Sequence, residues 1–157
     1  MSENKFVTNG KTKLVQGSIL TPEGSSLRFV FVPCSESGVG EDALHGLLSR
    51  KWKQAKAELK GWYSHHVNFK LGNIKDTAVQ SDTWLVHCLV ADKTGKVNDK
   101  ALASCVKKVA DLAKFERASV HVSTLVTEDM PQLLPLLQTE MIEKGITVLF
   151  YEEPVSQ

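Results

Sequence analysis

The chain reads as an α/β domain, with helices sandwiching a central mixed, mostly parallel sheet. Two observations predict this. Short β-branched and apolar runs alternate with segments of three-to-four-residue apolar spacing along 157 residues, and no repeat, low-complexity stretch or linker interrupts them. Trp84–Val90 is apolar on both faces except at His87, the pattern of a strand covered on both sides. The length suits one domain over residues 1–157, with its core over residues 12–152 and frayed termini.

The elements follow in order. Leu14, Val15, Ile19 and Leu20 mark a first strand within Thr12–Leu20, ended by the turn signal Thr21-Pro22-Glu23-Gly24. Leu27–Pro33 is a second strand, and the polar loop Cys34–Gly40 follows it. Ala43, Leu44, Leu47, Leu48 and Trp52 then recur at helical spacing, which predicts one helix over Glu41–Lys60 stopped by Gly61. Val67–Leu71 reads as a weak strand and Trp84–Val90 as the strongest one. After the loop Ala91–Val97, Asn98 or Asp99 caps a helix running to Phe115. Ala118–Leu125 is a strand, Val126–Asp129 a loop, Met130–Lys144 a helix ended by Gly145, and Ile146–Tyr151 the last strand.

Composition excludes several classes. Hydrophobic residues make up 42% and charged residues 24%, enough for a core without disulfides. The longest apolar runs, Phe29–Pro33 and Ile146–Tyr151, are far too short to span a bilayer. Met1–Lys5 is polar, unlike a signal peptide. A net charge of +1 disfavours nucleic acid as the main partner. In Arg50–Lys56, Trp52 falls on the buried stripe with Leu44 and Leu48, which leaves the basic side chains as a solvated face. The three cysteines lie in apolar segments without a C-x-x-C pair, so no zinc site or disulfide framework is expected, nor any cofactor. That usage suits a reducing cytoplasm.

In parallel α/β sheets ligands sit at the carboxyl ends of the strands. Three loops lie there: Cys34–Gly40, Ala91–Val97 and Val126–Asp129. Their order along the chain resembles the macro domain family, which binds ADP-ribose. Val15-Gln16-Gly17-Ser18-Ile19 matches the family's strand ending in Gly-Asp-Ile. Cys34-Ser35-Glu36 followed by Gly38-Val39-Gly40 is similar to its recognition turn and glycine loop, and most resembles the terminal ADP-ribose protein glycohydrolase branch. Trp84-Leu85-Val86-His87 and the ending Phe150-Tyr151 match its central and last strands. Ser18 replaces the aspartate that reads the adenine amino group, and Leu125–Asp129 replaces a second, glycine-bearing phosphate loop.

The resemblance implies binding of ADP-ribose or a related NAD-derived nucleotide by Ser18, Ile19, Cys34, Ser35, Glu36, Gly38, Val39, Gly40, Val126, Thr127, Glu128 and Tyr151. It also implies hydrolysis of an ADP-ribosyl ester by Lys93 and Asp129. Each has a structural alternative. Gly38-Val39-Gly40 is also an ordinary strand-to-helix turn, Asp92-Lys93-Thr94-Gly95 a solvated turn, and Thr127, Glu128 or Asp129 a helix cap. Tyr151 could stack on a base or cover the sheet. Ser64-His65-His66 reads as an exposed loop, and His87 as a satisfied core histidine. A nucleophilic Cys34 needs a base, and the sequence places neither His45 nor His87 beside it. The alternative to a nucleotide binder is a non-enzymatic macro-like module acting through protein contact or as a homo-oligomer.

Overall fold

A computed structural model of the chain describes residues 11–40 and 42–154. Expectations for Met1–Lys5, Glu41 and the end of the tail lie outside these residues. Among the described residues the strands are β1 (Thr12–Gln16), β2 (Arg28–Ser35), β3 (Ile74–Gln80), β4 (Thr83–Ala91), β5 (Ser119–Ser123) and β6 (Val148–Glu152). They form one sheet in the order β1-β6-β5-β2-β4-β3. All neighbouring pairs are parallel except the β3–β4 hairpin. The helices are α1 (Ala43–Lys51), α2 (Gln54–His65), α3 (Asp99–Glu116), α4 (Thr124–Asp129) and α5 (Leu133–Glu140).

Register assigns the two covers. Val32 and His87 are partners on one face, where His87 stacks on His45 of α1. Pro33 and Cys88 are partners on the other, where Cys88 meets Cys105 of α3. Residues Leu85 to Val90 are almost fully enclosed, as a strand between two helical layers must be.

Several predicted elements need correction. The helix expected over Glu41–Lys60 breaks at Trp52, whose backbone is extended (φ −122°, ψ 104°). That break lets the indole bury and donate to Gln80 Oε1 at 3.0 Å, so tertiary contacts override an unbroken helical pattern. Gly61 does not stop the helix. α2 runs on to His65 because buried Trp62 anchors its last turn, donating to Val67 O at 3.0 Å. His65 is thus helical, and left-handed His66 (φ 56°) is the cap.

The strand expected at Val67–Leu71 is loop, and the true strand is β3. As an edge strand with Lys75, Asp76 and Thr77 in it, β3 carries too little apolar signal to be read. Val126–Asp129 belongs to α4, which Ser123 starts by accepting the Leu125 N–H at 3.1 Å. Leu125 is therefore helical, beyond the end of β5. The last predicted helix shortens to α5, followed by a 3-10 turn at Ile142–Lys144.

Two histidines are buried in the sheet. His121 bridges Ser119 Oγ and the Tyr151 hydroxyl, each at 2.7 Å, and that hydroxyl accepts the Glu23 N–H at 2.8 Å. His87 Nε2 has no hydrogen-bond partner, so this core histidine is not fully satisfied. Burial lowers both imidazoles from 6.5 to about 3, helped by the positive charge of Arg28 near His121. Both therefore stay neutral in the fold while the unfolded chain protonates them below pH 6.5. Stability is expected to fall as pH drops below 6.5, by up to about 1.4 kcal/mol per pH unit for each histidine. The first part of that decline precedes carboxylate titration, whose ordinary values are 3.8 and 4.5. Urea unfolding across this window checks it, and a flat profile would contradict it.

Candidate functional site

Because β1, β6, β5, β2 and β4 run parallel, their carboxyl ends share one edge of the sheet. Two adjoining cavities open there, of about 250 and 210 Å³. Pro33, Asp42, Asp129 and Met130 line both. Larger hollows of about 430 and 510 Å³ lie away from this edge, beside Lys144–Thr147 and along α2.

Asp42 opens α1. Its Oδ1 accepts the His45 backbone N–H at 2.9 Å and lies 2.9 Å from His45 Nδ1. Partial burial works to raise the Asp42 carboxyl, but the hydrogen bonds from His45 outweigh it and hold the group below its usual value. On the other side of the ring, His45 Nε2 lies 3.7 Å from Cys34 Sγ. Burial drives the Cys34 thiol far above its ordinary range, so it is protonated at neutral pH. His45, which the sequence could not place beside Cys34, stands between that thiol and Asp42. Asp42-Ala43-Leu44-His45 has N-cap-to-N3 spacing, and that signal could have placed the ring beside the cap.

The predicted residues divide. Cys34, Ser35, Val39 and Asp129 line the larger cavity, and Val126 the smaller. Lys93 is exposed and lines neither, while Asp92 organises its turn by accepting from the backbone of Thr94 and Lys96. Glu128 is exposed and also outside both cavities. The Thr127 hydroxyl bonds back to Thr124 O at 3.3 Å. Glu36 donates its N–H to Ala91 O. Tyr151 is fully buried with its hydroxyl engaged, so stacking on a base is corrected to a core role.

Ser18 and Ile19 lie apart from the cavities, at the end of β1. The Ser18 hydroxyl accepts the Leu20 N–H, and the Ile19 N–H donates to Glu153 Oε2 at 2.7 Å. Glu153, unmarked in the sequence reading, brings a carboxylate to this corner. α4 rises from β5 and also packs on β6, between this corner and the cavities.

The glycine loop bonds partly to itself, and Gly38, Val39 and Gly40 also line a third cavity, of about 350 Å³, with Lys56, Lys60 and Tyr63. Gly38 donates to Ser35 O and Val39 to the Ser37 hydroxyl. A Cβ at Gly38 would meet Tyr63 at 2.4 Å, and one at Gly40 would meet His45 at 2.5 Å. Both glycines therefore make room for neighbouring rings, whatever a ligand requires. Among the described residues, no group of three potential ligands could hold a metal ion.

No protein-family model matches the sequence, and no curated protein matches it. Solved structures do match. A macrodomain protein from Streptomyces coelicolor superposes with a TM-score of 0.84 at 22% identity, over 92% of this chain and 100% of that one. The fold is that of a macrodomain. The macrodomain of Thermus aquaticus DarG matches at TM-score 0.71 and 12% identity, over 92% of this chain and 99% of that one. Thermosipho africanus DarTG in complex with ADP-ribose matches at 0.68 and 14% identity, over 96% of this chain and 44% of that one.

Gly38 sits at φ +73°. Gly38→Ala is expected to destabilise the protein by about 1 kcal/mol or more, read as a lowered melting temperature. Tyr63→Ala in the same chain should relieve part of that loss. A Gly38→Ala protein as stable as the parent would refute the packing role.

Proposed function

We propose that the chain binds ADP-ribose or a closely related nucleotide along the carboxyl edge of its sheet. The observation that carries this is the macrodomain fold with cavities at that edge, taken with the ADP-ribose complex of a structural neighbour. In this reading the purine docks at Ser18 and Ile19. Glu153 Oε2 already accepts the Ile19 N–H, and its second oxygen takes the exocyclic amine in place of the missing aspartate. The sugar at the far end reaches the cavity walled by Asp42 and Asp129, whose carboxylates suit hydroxyl groups better than phosphates.

Hydrolysis of an ADP-ribosyl ester is the narrower form of this proposal. Asp129 at the cavity wall supports it as an acceptor for a proton from water. Lys93 joins only if its exposed turn folds inward.

A second reading is a module closed to nucleotides that works through protein contact. Three observations favour it: α4 lies where the macro domain family has a glycine-bearing loop, the Ile19 N–H is occupied, and two carboxylates line the shared cavity wall.

Calorimetry separates the two readings. ADP-ribose is expected to bind with a micromolar dissociation constant, about −8 kcal/mol. Glu153→Gln, and separately the inosine analogue with a carbonyl for the amine, should each weaken binding about tenfold, or ~1.4 kcal/mol. Absence of binding at millimolar ADP-ribose would reject the first reading and leave the second.

A further inference from the structure

Cys34, His45 and Asp42 form a hydrogen-bonded series on the wall of the 250 Å³ cavity. Capping α1 requires only the bond from the His45 backbone to Asp42. The second bond, to Nδ1, does something else. It assigns the ring hydrogen to Nδ1, facing the carboxylate, and turns the Nε2 lone pair toward the thiol. Gly40 supplies the space that this ring occupies. Nucleophile, base and orienting carboxylate thus follow one another, the geometry by which a weakly acidic nucleophile is activated. The other cysteines, Cys88 and Cys105, are fully buried and line neither cavity.

We propose that Cys34 is a nucleophile toward acyl esters, with His45 as its base, Asp42 as the group that orients His45, and the cavity as the pocket for a small acyl group. The protonated thiol requires base assistance rather than a resting thiolate. As Sγ bonds to the ester carbonyl carbon, its proton passes to Nε2 and the π pair moves to the carbonyl oxygen. Collapse breaks the C–O bond, and the alcohol leaves with the proton from His45. Water then adds its hydroxyl to the thioester carbon and gives its proton to His45. The second collapse releases the carboxylic acid, and the Cys34 thiolate recovers the proton. The series does not depend on a bound nucleotide, so it survives or fails separately from the reading above.

The test uses p-nitrophenyl acetate and the full chain. A burst of p-nitrophenolate is expected, with one acetyl group on Cys34 by peptide mass and none on Cys88 or Cys105. Cys34→Ala should abolish the burst. His45→Gln and Asp42→Asn should each slow acetylation of Cys34 by about 100-fold or more. Asn caps a helix as well as Asp does, so Asp42→Asn keeps the fold and isolates the orienting role even if His45→Gln fails to fold. An unlabelled Cys34 in the parent protein would overturn the proposal. So would equal labelling rates in the parent and in Asp42→Asn.

Discussion

β2 is the strand on which the arrangement depends. It pairs in parallel with β4 on one side and β5 on the other, and its residues Phe29 to Val32 are wholly buried. A strand held on both edges cannot slip by one residue without turning its core side chains to the wrong face. Pairing with β5 holds Arg28–Val30, and pairing with β4 runs on to Ser35, which fixes the carboxyl end. Cys34 and the turn into α1 inherit that position, and so do the cavities beside them.

What the edge can hold is decided by smaller substitutions. A glycine loop would leave open backbone beside β5. Here Ser123 caps a short helix instead, burying Val126 and Met130 and presenting Asp129. The other wall is equally committed, since Gly38 and Gly40 accommodate Tyr63 and His45 and the Ser37, Gly38 and Val39 amides bond within the loop. The result is a cleft with more carboxylate and less free N–H than a diphosphate prefers. Glu153 adds a carboxylate at the far corner, where an amine would be a better partner than a phosphate.

The sheet was legible wherever burial was complete. β2, β4, β5 and β6 are apolar runs that nothing else explains, and α3 carries its cap at Asn98 and an apolar stripe. β3 was not legible because an edge strand needs little apolar surface. The α1–α2 break was not legible because the pattern runs in phase across it, and only the distant Gln80 explains where Trp52 goes. At the site, Cys34 and Asp129 could be placed because each lies at the end of a predicted strand or loop. Glu153 could not, since its place at the site comes from contact with Ile19, 134 positions away. His45 stands three residues after its N-cap Asp42, a spacing already present in the sequence.

Everything proposed for this edge of the sheet turns on whether a nucleotide occupies it. The most direct measurement is to follow the backbone amide resonances of the isotopically labelled protein as ADP-ribose is added. Saturable shifts are predicted at Ile19, Ser35 and Val126, with the amides around Lys144–Thr147 and along β3 unmoved. Shifts confined to those other surfaces would contradict the location, and a spectrum unchanged at millimolar ligand would contradict the occupancy itself.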